Sequence, residues 1–186
     1  IYSFVRIERT GTKTVTHGYN TDYRPLEFDE NNSGTFTRAL PLSWIPVVNI
    51  GGTDYLEFLL DINQAKNVIP SLLSLDQVLI AQGTAGNLFP FSTIFASPLY
   101  QIDDGSIDNW VKLDYQINSG SGSGDMLLYV PKSSFNSEPF VYLYSKFGEN
   151  EINTDGYEEW AVRNPAVTII PVPGAILLGS IGVGLV

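Results

Sequence analysis

Apolar and polar residues alternate with period two through most of this chain. Leu56, Phe58, Leu60 and Ile62 alternate with Tyr55, Glu57, Leu59 and Asp61. Val111, Leu113, Tyr115 and Ile117 alternate with Trp110, Lys112, Asp114 and Gln116, and Val5 and Ile7 share one face of Tyr2–Arg9. Successive side chains on a strand point to opposite faces, so each run predicts a strand with one face on a core. Further runs predict strands over 12–17, 44–50, 77–82, 126–131, 140–147, 157–163 and 166–170. Turn-forming clusters separate them: Asp29–Gly34, Gly51-Gly52, Asp103–Gly105, Ser119–Gly124 and Asn153–Gly156. One short helix candidate, 63–68, is stopped by Pro70. Many short strands joined by Gly-rich turns predict an all-β protein, a single β-sandwich or jelly-roll-like domain.

The pattern changes near the C-terminus. Pro165, Pro171 and Pro173 divide a sandwich domain, 1–164, from a Pro-containing apolar segment, 165–186. No charged side chain occurs from Asn164 to Val186. The stretch Ala175–Val186 is shorter than the roughly 20 residues that cross a bilayer as a helix. An apolar segment of this kind is expected to bury itself against protein. The residues expected to carry that contact are Val167, Ile169, Ile170, Val172, Ala175, Ile176, Leu177, Leu178, Ile181, Val183 and Leu185. Ala175 and Gly179, four apart, suit close helix packing, but glycines at 179, 182 and 184 weaken a helix. An extended strand donated to a neighbouring copy is the preferred expectation.

Composition narrows the chemistry. Hydrophobic residues make up 44% and aromatics 12%, as in a folded protein, while charged residues are only 16%. The net charge of −10 argues against nucleic acid, whose phosphates need clustered Lys and Arg. Absence of cysteine excludes disulfides, zinc–thiolate sites and a cysteine nucleophile. His17 is the one histidine, which rules out histidine-pair metal sites. No Gly-x-Ser-x-Gly elbow, phosphate loop or dinucleotide fingerprint occurs. Glu158 and Glu159 beside Trp160 form the most suggestive carboxylate pair, but on a strand they face opposite ways and cannot act together. The expectation is a protein that is not an enzyme.

Two binding chemistries stay open. Glu151, Asn153, Asp155 and Glu159, with Gly156 in sixth place, resemble the first half of a calcium loop, although an ordinary Asn/Asp-Gly turn accounts for the same residues. Asp103 to Ser106 with Asp108 is a second acidic turn. Tyr142 and Tyr144 share one strand face, and Trp110 and Trp160 lie near strand ends, so aromatic stacking on sugar competes with core packing. Thr10, Thr12, Thr14 and Thr16 fall on one face of a predicted strand, as glycan acceptors or solvent-facing β-formers.

Pro171-Val-Pro-Gly-Ala175, followed by a small-residue-rich apolar run, resembles the sorting signal of PEP-CTERM proteins of Gram-negative bacteria. Val172 stands where that family usually carries Glu, and no basic cluster follows the run. Segments 61–64, 73–76, 120–126, 141–144 and 155–160 are similar to stretches of uncharacterised members. The resemblance implies export by exopolysaccharide-producing bacteria, a surface, matrix or biofilm role, glycosylation, and no enzymatic activity. An opening directly on a strand pattern, without a start methionine, fits an exported protein whose leader has been removed. The function expected is therefore an extracellular structural protein that assembles with copies of itself into a filament or matrix. It would contact exopolysaccharide, and the membrane only transiently during sorting. The competing expectation is an envelope-tethered carbohydrate- or calcium-binding module.

Overall fold

In the computed structural model, which describes residues 1–65, 71–103, 105–120 and 124–163, the alternating runs form two antiparallel sheets packed face to face. The first sheet contains β1 (Tyr2–Glu8), β4 (Val47–Ile50), β5 (Thr53–Asp61), β9 (Met126–Pro131) and β11 (Tyr157–Val162). The second contains β2 (Thr16–Tyr19), β3 (Leu40–Pro41), β6 (Leu72–Gly83), β7 (Tyr100–Gln101), β8 (Val111–Asp114) and β10 (Phe140–Phe147). The protein is an all-β sandwich, as the alternation predicts.

In the first sheet β1 pairs with β11, and β11 with β5 through residues 59–61. Strand β4 pairs with β5 through 53–56, and β9 pairs with β5 through 55–60. Because β9 overlaps both of the other registers, β11 and β4 share one side of β5 end to end and β9 takes the other. In the second sheet the long pair β6–β10 is central, flanked by β2 and β3 on one side and by β7 and β8 on the other.

The core lies between the sheets. Leu56, Phe58 and Leu60 of β5 and Ile62 just after it all point into it, with Phe4, Leu75, Val141 and Trp160 among their buried companions. Trp160 spans the gap: its ring is fully buried and its Nε1 donates to Ser145 Oγ of the other sheet at 3.0 Å. Pairing that one indole donor lets a large apolar ring be buried without an orphaned polar atom.

The second sheet is buried on both faces, which the sequence does not announce. Its outer face carries a separate cluster of Tyr19, Leu79, Ala81, Phe95, Tyr142 and Tyr144, packed against Phe28, Phe91 and Ile94 of the covering loops. One of those loops contains a single helical turn, α1 (Phe91–Ile94). Strand β6 therefore runs twelve residues, against the six expected over 77–82. Ser74 and Asp76, polar residues within this strand, are both buried and tied to a turn. Ser74 Oγ donates to Asp76 Oδ2 at 2.9 Å, and the Asn150 and Glu151 backbone amides donate to Ser74 Oγ. Asp76 accepts from the Glu149 backbone amide at 2.7 Å and the Asn150 side chain at 2.9 Å. Gly148 begins that turn at φ +95°, where an added Cβ would press on the Thr14 carbonyl.

Other expectations shift locally. Of 12–17 only Thr16 and His17 are in a strand, because 11–12 form a turn closed by Arg9 Nε donating to the Lys13 carbonyl at 2.6 Å. The four threonines therefore do not share a strand face, and Thr16 is fully buried. Strand β8 ends at Asp114, whose carboxylate accepts the Gln116 amide at 3.0 Å and turns the chain. Residues 63–65 are not helical. The rest of the 63–68 candidate and the 166–170 strand lie outside the described residues.

Candidate interaction surface

The four residues with calcium-loop spacing are brought near one another in sequence but not onto one point. Glu151 pairs with Lys112 at 3.0 Å on the flank of β8. Asp155 Oδ1 accepts the Gly156 amide at 2.9 Å, an Asx-type turn. Glu159 faces outward on β11, where the Arg6 guanidinium reaches its Oε2 at 2.6 Å. Arg6 itself lies against the rings of Phe36 and Tyr157, 3.4 Å and 4.1 Å from their centroids. Asn153 is buried, and its amide donates inward to Thr16 and Glu158. Among the described residues no group of three or more acidic or histidine side chains converges as a metal-binding set. The second acidic turn is described only in part, and there Asp103 Oδ1 accepts the Asn109 amide at 3.1 Å.

Glu158 and Glu159 face opposite sides of β11, as strand geometry requires. Glu158 is fully buried, with Gln64 Nε2 donating at 2.8 Å and Asn153 Nδ2 at 2.9 Å. Burial pushes its carboxyl far above the ordinary value, against the pull of those two donors. Gln64 Oε1 in turn accepts the Thr154 amide and hydroxyl, both at 2.8 Å. This knot closes one end of the sandwich. Its side chains face one another rather than solvent.

The aromatic residues expected to meet sugar are mostly interior. Tyr142 donates to the Ala85 carbonyl at 2.5 Å, and Tyr144 bonds His17 Nδ1 at 3.0 Å beneath the covering loops. His17 stacks on Phe28 with ring centroids 4.3 Å apart, and burial lowers its pKa. Glu30 packs over Gly18 and accepts the Tyr19 and Phe28 amides at 2.9 Å and 2.8 Å, with its pKa raised by burial. Trp110 alone of the four expected residues is exposed, and Trp160 is in the core.

What stays open is one end of the first sheet. Val162 pairs with Tyr2 across β11 and β1, so the chain leaves Arg163 beside the start of β1. Arg163 pairs with Glu57, whose side chain is only 1% exposed although it points outward, and Tyr129 also bonds Glu57. Around this exit Ile1, Tyr2, Trp44, Val47 and Leu127 are exposed. Tyr2 and Trp44 lie 6.0 Å apart, with the Arg38 guanidinium about equally distant from both rings, at 6.0 Å and 5.8 Å. A cleft of about 510 Å³ is lined by Ile1, Leu59, Asp125, Met126, Leu127 and Arg163. Asp125 Oδ1 is buried with no hydrogen-bond partner among the described residues, and burial, with Asp61 nearby, raises its pKa to about 6. Sequence reading missed this surface, because Tyr2, Trp44, Val47 and Leu127 come from separate segments that only the sheet assembles. The eleven residues of 167–185 expected to mediate contact lie outside the described residues. No helix among the described residues is long and apolar enough to cross a membrane.

No family model, curated protein or solved structure matches this chain.

Proposed function

We propose that this chain is a non-enzymatic structural protein of the cell surface or biofilm matrix. It assembles with copies of itself through its apolar C-terminal segment. The observation that carries the reading is the coincidence of two apolar features. The uncharged segment 164–186 leaves the sandwich at Arg163, and there the first sheet exposes Ile1, Tyr2, Trp44, Val47 and Leu127. An apolar patch continuous with an apolar chain end is the composition of an association site. The polar clusters described above support the same reading, since their groups are engaged in fixing loops and turns. The resemblance to the PEP-CTERM signal adds export and surface sorting to the proposal.

The test compares the full chain with a chain ending at Asn164 by sedimentation and negative-stain electron microscopy. Polymers from the full chain and monomers from the shorter one are the expected pair of results. Well-folded monomers from both would leave the segment as a sorting signal and refute assembly.

A second reading, an envelope-tethered carbohydrate-binding module, is favoured by one observation. Tyr2 and Trp44 are exposed rings with the Arg38 cation beside them, a combination suited to stacking and hydrogen bonding on an acidic sugar. Retention on acidic polysaccharide by the native chain, lost in Trp44→Ala, is its required result. Retention that a chelator removes would bring calcium into that reading.

A further inference from the structure

We infer that the free edge of β9 is the acceptor for the apolar C-terminal segment of a second copy, added there as an extra strand. This rests on the assembly reading above and names the partner surface it needs.

The argument starts from the edges. An edge strand offers unpaired N–H and C=O groups, and folded proteins blunt such edges with charges, proline, bulges, shortness or cover; in β9 proline occupies only the last position, Pro131. Among the described residues most edges are blunted. Strand β1 carries Arg6 and Glu8 and is bridged at Ile7 by Glu30. Strand β8 carries Lys112 and Asp114. Strands β3 and β7 are two residues each. Strand β2 is four residues long and carries His17, whose carbonyl accepts the Asp29 amide. Strand β4 is uncharged but only four residues long.

Strand β9 is different. Its six residues, Met126-Leu-Leu-Tyr-Val-Pro131, carry no charge, and among the described residues they pair with β5 on one side only. Leu127 projects from the outer face with 40% of its surface exposed. The cleft lined by Ile1, Leu59 and Leu127 lies on the outer face between β9 and the exit at Arg163, so the apolar surface extends from that exit to β9.

The occupant follows from the chain itself. A partner strand here must be uncharged and apolar, and 174–186 is both. The ten residues 164–173 contain three prolines and span up to about 30 Å when extended. A body of this size has a radius of gyration of about 15 Å, so a reach of about 30 Å is enough to bring the apolar run to a neighbouring copy. One acceptor and one donor per copy, at different places, make a head-to-tail contact that grows into a fibre.

Hydrogen exchange of the full chain over a concentration series tests this. In assemblies the β9 amides are expected to exchange at least about tenfold more slowly than in monomers. Leu127→Lys puts a charge on the open edge and should raise the concentration needed for assembly by about tenfold or more, while Val111→Lys on the β8 edge leaves it within about twofold. If assemblies form with β9 exchanging at the monomer rate, the acceptor is elsewhere and this inference falls while the assembly reading stands. If nothing assembles at any concentration, both fall. If Leu127→Lys fails to fold, the wild-type exchange decides alone.

Discussion

Replacing Arg163 by alanine isolates the Arg163–Glu57 ion pair at the point where the described chain ends its last strand. Glu57 points outward from β5, yet its side chain is 1% exposed, because Arg163 and Tyr129 cover it. Removing one partner of a fully buried pair costs about 3–5 kcal/mol, since a charge is left unpaired out of water. Arg163 is 36% exposed, so water already shares part of that interaction and will enter when the side chain goes. The expected loss is therefore smaller, about 2 kcal/mol, or about 4–8 °C in Tm for a domain of this size. Glu57→Gln keeps the shape and an acceptor for Tyr129, and should cost about 1 kcal/mol. The double variant should be no less stable than Arg163→Ala alone, because the orphaned charge is gone, giving a coupling of about 1–2 kcal/mol. Urea unfolding followed by circular dichroism, at low protein concentration to suppress assembly, measures all three. A coupling indistinguishable from zero would refute the argument and leave Glu57 solvated through its neighbours.

Three further outcomes follow from the geometry. The Glu158 carboxyl is raised in the folded state, so folding favours its protonated form. The stability this contributes is present at low pH and lost as pH rises above the ordinary value of 4.5 toward the raised one, and urea midpoints against pH should show that loss flattened in Glu158→Gln. His17 is lowered from 6.5, so the unfolded chain binds the proton better. The stability it contributes is present above pH 6.5 and lost as pH falls below it, and a shallower acid limb in His17→Gln by the same titration is the expected sign. Because Glu151, Asn153, Asp155 and Glu159 have separate partners, millimolar calcium should leave Tm unchanged. A rise of more than about 3 °C in differential scanning calorimetry would restore a cation site.

The local pattern was enough for the fold class. Alternation in 55–62 placed Leu56, Phe58, Leu60 and Ile62 on the core face, and the same rule separated Glu158 from Glu159. These are statements about neighbours on one strand, which period two encodes directly. The calcium-like spacing of 151–159 failed to become a cluster for the complementary reason. Arg6, Lys112, Gln64 and Thr16 come from other strands or loops, and each draws one of those residues away.

What the chain by itself determined was its β content, its charge balance, the lack of thiol and histidine-pair chemistry, and an uncharged apolar end. Tertiary structure alone decided which strands became edges, that Tyr142 and Tyr144 lie under loops, and that Glu57 is buried on an outward face. The physical reason is that burial and edge character are relations between distant segments. Strand β9 has the same residues whether it lies in the middle of a sheet or at its rim. Only the pairing of β5 with β11 and β4 on its other side leaves β9, among the described residues, with an open row of backbone groups.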